Sequence, residues 1–431
     1  MDQWLRDAAA DAALMNDFRA LCGFGGRRSG SGQDEAAMDW ALGRLAEVGA
    51  DVRRQHAAYD GWQCKQAALS FVDERGPALR CNPLLRSAST DPAGLVAEVL
   101  DLGEGREEDF DRAGDAVRGK IVLVRHEYPF SPTHMHRRRK YDLAVARGAA
   151  GFLIANPIPG GGVLSGSSGR PRDGAGIPAA YIGHESAKRI VQACATGGGA
   201  AGVVRLRLLI EGEEIADSQA AVGVLDLPGG RDSRIVISAH MDGHDLGVSA
   251  LDNATGVAVA LAAARALAPR VGKDTPGLRI CFFCAEEWAL AGSARYLADL
   301  PDSERNRMKL NLNLDTVAGD DTLTALISGF PALAGHVARA AAQAQTPVGS
   351  WLPLMPNSDH ANFARHGIPA LRLVAGFDKP DSRVNNILSA GDVPAVIEES
   401  ELRRAVAVTC ALADVALRMT DEQLESLALV S

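Results

Sequence analysis

Between residues 206 and 431, short runs of apolar and β-branched residues alternate with longer stretches rich in Ala, Val and Leu, a pattern that predicts strands and helices in turn. Strands are expected at 220–225, 235–239, 278–285, 310–314 and 370–374, and helices at 256–267, 288–300, 332–344 and 393–417. This alternation favours an α/β fold with a mostly parallel sheet sandwiched by helices. The first 52 residues read as two helices, one carrying Leu5, Leu14, Phe18 and Leu21 and the other Ala37, Trp40, Leu42, Leu45 and Val48. A Gly- and Ser-rich turn containing Arg27-Arg28-Ser29-Gly30 separates them. From about Cys64 to Arg205 the texture changes to short β-like runs (67–71, 95–100, 121–124, 152–155, 179–182) between Gly- and Pro-rich turns. The expected organisation is a split domain of residues 1–64 and 206–431 around a β-rich insert at 65–205. Gly160 to Gly162 and Gly197 to Gly199 lack the strand-helix setting and the Lys of a phosphate loop, and read as a loop and a linker.

The ends of the predicted strands carry the chemistry. The run at 235–239 ends in His240-Met-Asp242, and a polar loop then leads to Asp252-Asn253 before the Ala-rich helix. A strand-to-helix turn at the carboxyl edge of a sheet is where α/β proteins keep their ligands. His240 is a candidate zinc ligand, because a neutral imidazole binds zinc well once its other nitrogen is held, and Asp242 two residues on is placed to hold it. The run at 278–285 delivers Glu286-Glu287, the run at 310–314 delivers Asp315, and Asn357-Ser-Asp359-His360 precedes a further apolar stretch. Adjacent acids allow a division of labour in which one binds metal while its neighbour takes a proton from water.

The order His-x-Asp, Leu-Asp-Asn-Ala-Thr-Gly, Glu-Glu, Asn-Leu-Asp, Ser-Asp-His-x-x-Phe resembles the zinc exopeptidases of metallopeptidase family twenty-eight, which include bacterial leucyl aminopeptidases and glutamate carboxypeptidases. The resemblance implies that His240 and Asp315 hold one zinc, Asp252 bridges two, Glu287 binds the second, and Glu286 is the general base. It also implies that Asp359, in the Ser-Asp-His segment, supports the site. Asn253 beside Asp252 reads as a brace for the loop. His244 stands outside the family's pattern and reads either as a surface loop residue or as a residue lining the substrate cleft, and Asn386 reaches the site only if its loop shifts. The insert, with Gly119-Lys-Ile-Val-Leu-Val-Arg125 and Gly148-Ala-Ala-Gly-Phe-Leu-Ile-Ala-Asn156, resembles the protease-associated domain found between the halves of such catalytic domains. Arg27-Arg28-Ser29-Gly30 resembles a loop these enzymes carry, and reads equally as a plain connector.

The pattern breaks at one ligand. The family's second zinc takes a late His, whereas the matching segment here is Arg383-Val-Asn-Asn-Ile-Leu-Ser-Ala-Gly-Asp392, with Leu388 at that place. Three outcomes stand open: His360 as a substitute ligand, a weak site completed by Asn386 or water, or a single metal.

Composition narrows the partners. Lys+Arg 45 against Asp+Glu 54 gives a formal charge of -9, which disfavours nucleic acid. The amino terminus is polar and acidic and no stretch reads as a membrane span, so the expected location is cytoplasmic, away from membranes. Seven scattered cysteines make a disulfide framework an unfavoured reading, and Cys281 and Cys284 lie within a strand-like run, where they read as core residues. The basic run Arg137 to Lys140 reads either as a solvated helix start or as a contact for an acidic group. Apolar runs would suit a homo-oligomer without specifying one.

The expected function is a zinc-dependent hydrolase of peptides or small amides, of aminopeptidase type, with Glu286 as base. Its alternatives are a carboxypeptidase or small-molecule amide hydrolase on the same site, and a non-catalytic binding module.

Overall fold

The computed structural model describes residues 1–73, 77–196 and 203–429, so the linker expected at Gly197 to Gly199 lies outside the described residues. The chain divides into two units. The larger comprises Met1–Tyr59, Gln219–Ile387 and Gly391–Ser431, and the smaller Asp60–Ser218 with Leu388–Ala390. The sequence places the divisions at 64/65 and 205/206. The difference is an antiparallel pair, Gly61–Phe71 with Arg205–Ile215, whose ladder carries both strands into the smaller unit.

Eight strands form the sheet of the larger unit: β1 (Asp51–Ala58), β2 (Gln219–Leu227), β3 (Arg234–His240), β4 (Gly277–Phe283), β5 (Met308–Leu314), β6 (Leu323–Leu326), β7 (Val348–Trp351) and β8 (Ala370–Ala375). Their order across the sheet is β1-β2-β4-β3-β5-β8-β6-β7. The expectation of a mostly parallel sheet is corrected to a mixed one. The centre, β4-β3-β5-β8, is parallel, but β2 runs antiparallel to both β1 and β4, and β6 runs antiparallel to β8. The parallel centre places the carboxyl ends of β3, β4 and β5 at one edge, where His240, Glu286-Glu287 and Asp315 follow.

Strand alternation sorts the core. Val236, Cys281 and Phe283 pack with Tyr296, Leu297 and Phe363 in one buried cluster, while Ile235 and Ile237 turn to the opposite face. The helices Thr255–Leu267 and Glu399–Leu417 pack on one another, and Ala332–Ala344 packs on the second of these. The stretch Ala250–Arg270 is long and apolar enough to cross a membrane by length and composition, contrary to the sequence expectation. Of the window tested, 83 % is buried within the protein, as in a core helix. Gly256 in its first turn is obligatory by space: a Cβ there would lie 2.2 Å from the Leu314 carbonyl oxygen.

The amino-terminal segment forms three helices where two are expected, because the chain turns at residues 10–13 between Gln3–Ala9 and Leu14–Gly23. The predicted helices at 288–300 and 393–417 start later, at Ala291 and Glu399.

Among the described residues the smaller unit has a seven-stranded mixed sheet and three α-helices, Glu107–Ala113, Arg137–Ala146 and His184–Ala195. Its basic run is engaged internally. Arg139 pairs with Glu107 at 2.6 Å, Arg137 donates to the Ser167 carbonyl at 2.9 Å, and the buried Lys140 pairs with Glu127 at 2.6 Å.

Candidate metal centre

His240 closes β3 with its ring fixed by the backbone. Its Nδ1 lies 3.0 Å from the Asp242 carbonyl oxygen, which can only accept, so Nδ1 carries a proton and Nε2 is the atom left for a metal ion or a second proton. Nε2 faces Asp252 Oδ1 at 3.0 Å and Asp315 Oδ1 at 3.5 Å, with no aligned hydrogen-bond partner. Ligand atoms of His240, Glu286 and Asp315 lie within 4.8 Å of one another, all buried. An imidazole lone pair among buried carboxylates is repulsive unless a cation or proton sits between them. Burial alone would lower the imidazole pKa, but Glu286 and Asp315 drive it well above its ordinary value. The donor set of one imidazole and several carboxylates therefore fits a divalent metal ion.

Asp242 does something other than what the spacing suggests. Its main-chain oxygen orients His240, and its carboxylate, 3.7 Å from Nδ1, instead accepts the backbone N–H groups of Glu286 at 3.0 Å and Glu287 at 3.3 Å. One residue thus ties the His240 strand end to the Glu286-Glu287 strand end.

Asp252 and Asn253 occupy an irregular turn at Ala250–Ala254, and the peptide bond between them is cis. Asn253 braces this turn, accepting from Gly256 N–H at 2.9 Å and donating to the Leu314 carbonyl at 2.8 Å. Asp392 receives the Leu251 and Asp252 N–H groups at 2.6 and 3.3 Å, which fixes the turn from the other side.

Asp315 is paired with Arg372, Oδ2 to Nη2 at 3.0 Å. Burial would raise its pKa, but Arg372 and His240 together hold it well below the usual carboxylate range. Glu286 and Glu287 shift the other way. Burial raises Glu286 well above its ordinary value, and burial followed by repulsion from Asp252 pushes Glu287 up to about 7. The adjacent acids are therefore poised to accept protons while Asp315 stays ionised.

Two arginines that sequence reasoning left out of the site prove central to it. Arg372 sits in the apolar run of β8, and its only sequence signal is a charge where the strand should be continuously hydrophobic. Arg27 is fully buried and donates to five carbonyls, those of Leu21, Gly25, Met241, Val248 and Ser249, at 2.8–3.1 Å. It thereby ties the amino-terminal turn to the loop following His240. Ser29 extends the brace, its Oγ accepting Ala285 N–H at 2.7 Å beside Glu286.

His360 opens the short helix His360–Arg365, outside the His240, Glu286 and Asp315 group. Burial and the nearby Arg372 push its pKa down to about 3, keeping the ring neutral. The preceding Asp359 accepts from Ser293 Oγ, and burial raises it to about 7. A polar chain, Asn311–Ser238–Asn313–Ser358, runs from the sheet to this segment with links of 2.7–2.9 Å. Asn386 donates to Arg383 within the turn Arg383–Asn386. His244, on the loop after β3, is buried with its Nε2 3.7 Å from Asp392 Oδ2.

The family model for peptidase family M28 matches residues 223–413, and that for the PA domain matches residues 90–190. The chain is similar to a protein named "Probable leucine aminopeptidase 2" from Aspergillus fumigatus, at 27 % identity over 86 % of this chain and 72 % of that protein. It spans about three fifths of the length of related aminopeptidases. In fold it resembles a peptidase M28 precursor from Shewanella amazonensis, with a TM-score of 0.77 at 21 % identity over 97 % of this chain and 96 % of the other. It also resembles a zinc aminopeptidase from Bacillus subtilis, with a TM-score of 0.70 at 21 % identity over 93 % of each.

Proposed function

We propose, from the premise that the chain belongs to peptidase family M28 and carries an inserted PA domain, that it is a metal-dependent exopeptidase of aminopeptidase type. The observation that carries this is the position of His240 Nε2, held by the Nδ1 hydrogen bond to the Asp242 carbonyl so that it faces Asp252 and Asp315 with Glu286 alongside. The metal is read as zinc, which would be held by His240, Asp252 and Asp315, with Glu287 available to a second ion. Bound there, a divalent metal ion acts as a Lewis acid toward the scissile carbonyl and makes water more acidic.

The protein's own groups supply the rest. Glu286 is held by its backbone N–H on Asp242, and its buried carboxylate has a raised proton affinity. It takes the proton of the attacking water and hands it to the leaving amine, so the carboxylate is regenerated at the end of each turnover. Arg372 keeps Asp315 ionised and fixed in orientation throughout. The carboxypeptidase alternative looked to the basic run at Arg137 to Lys140 for its carboxylate contact, and three of those four side chains are already bound within the smaller unit.

The distinction is tested with two leucyl anilides, one with a free amine and one N-acetylated. The free substrate is expected to be cleaved at least about 100-fold faster in kcat/KM, roughly 2.7 kcal/mol of transition-state stabilisation. Equal rates on the two would remove the aminopeptidase reading.

A further inference from the structure

Arg86, in the smaller unit, has more buried donors than partners. It is 7 % exposed, and its main chain is held in place by its own carbonyl, which accepts Arg170 Nε–H at 2.8 Å and the Ser168 hydroxyl at 3.2 Å. Nη1 pairs with Asp60 Oδ2 at 2.8 Å. Nε and Nη2 are buried and have no hydrogen-bond partner among the described residues. These two nitrogens form one edge of the planar guanidinium, a fork that matches the two oxygens of a carboxylate. Elsewhere in the chain the same edge is filled in that way. Arg279 grips Asp226 through Nε to Oδ1 and Nη2 to Oδ2, both at 2.7 Å.

The charges around Arg86 favour the same occupant. Arg172 Nε lies 3.5 Å from Asp60 Oδ1 and is likewise buried without a hydrogen-bond partner among the described residues. Arg170, which holds the Arg86 carbonyl, pairs with Glu214. This linked group sets three guanidinium groups, those of Arg86, Arg170 and Arg172, against two carboxylates, those of Asp60 and Glu214. One positive charge is left over. Water can satisfy the free donors but cannot neutralise that charge. Asp60 and Arg172 are each more than one-third exposed, so the fork lies one side chain below solvent.

We propose that the Nε and Nη2 edge of Arg86 is a binding site for one small carboxylate ligand. The site uses no residue of the metal centre, and its assignment does not depend on the peptidase reading. A free organic acid and the carboxyl end of a peptide offer the same group to the fork, and the choice of probes separates them.

The test is calorimetric titration of the intact chain with N-acetyl-leucine, N-acetyl-leucinamide, acetate and inorganic phosphate, with circular dichroism as a folding control. N-acetyl-leucine is expected to bind, and its amide, which lacks only the carboxylate, to bind at least about 10-fold more weakly, the scale of a charge-assisted pair of hydrogen bonds. R86M keeps the apolar stem without the fork and is expected to weaken binding of the acid at least about 10-fold. R86K keeps the charge but lacks the planar fork, is expected to fall about as far, and serves if R86M does not fold. Acetate bound as tightly as N-acetyl-leucine supports the site with a free acid as its ligand. Acetate bound at least about 10-fold more weakly supports it with the carboxyl end of a peptide as ligand. Acid and amide bound alike, acid binding undiminished in the variants, or phosphate bound more tightly than either carboxylate overturns the assignment. So does a wild-type protein that binds no carboxylate, which would leave water as the occupant of the fork.

Discussion

Glu286→Gln is expected to lower kcat on a free leucyl anilide by about 10³-fold, within the range for loss of a positioned general base. The amide is nearly isosteric with the carboxylate and keeps the backbone N–H on Asp242, so the turn after β4 should hold its shape. The substitution removes only the ability to accept a proton. Because ligand atoms of His240, Glu286 and Asp315 lie within 4.8 Å of one another, geometry alone also permits Glu286 to bind the metal directly. Metal content separates the two roles. A general base leaves the zinc stoichiometry of the variant unchanged, whereas loss of an ion together with turnover would reassign Glu286 as a ligand. Undiminished turnover would remove it from the mechanism.

Arg27→Met should destabilise the protein by about 3–5 kcal/mol, the scale for breaking a buried charged network. The aliphatic stem is retained, but the carbonyls of Leu21, Gly25, Met241, Val248 and Ser249 lose their shared donor in a site sealed from water. Arg27→Lys should recover little, since an ammonium has three donors and lacks the planar fork that reaches carbonyls on two sides. The neighbouring Arg28 is the internal control. Its partly exposed pair with Asp245, at 2.7 Å, should contribute under about 1 kcal/mol, so Arg28→Ala should melt close to wild type. Hydrolysis by folded Arg27→Met should also fall at least about tenfold, because the loop Arg27 pins connects His240 to Asp252 and small misplacements there are costly. A melting temperature and activity near wild type would mean that the brace is dispensable.

The contrast between these two residues shows what the linear chain discloses. Glu286 is visible because it ends an apolar run, as His240 and Asp315 do, and parallel strands bring such ends to one edge whatever the loops between them. The burial of Arg27 is invisible because arginine in a Gly- and Ser-rich turn ordinarily faces water, and only the three-dimensional closure of the loop at 241–249 over it makes it a core residue. Arg372 was hidden differently, as one charge inside a strand that otherwise reads as apolar. The mixed direction of the sheet was hidden as well. β1, with the sequence DVRRQHAA, has little apolar signal, and β6 and β7 have four residues each, too short for periodicity to register. Asp242 shows a further limit: spacing located it beside His240, but could not tell that its carbonyl holds the ring while its carboxylate holds the glutamates.

Metal dependence of aminopeptidase activity is the central claim, and it is tested most directly on the intact chain by one reconstitution. Hydrolysis of a free leucyl anilide is measured after exhaustive chelation and dialysis, and again after stoichiometric zinc is returned. The chemistry of the His240, Asp252 and Asp315 cluster predicts loss of activity on chelation and its recovery with zinc. Hydrolysis that persists at the original rate in the chelated protein, with zinc absent by elemental analysis, would contradict it.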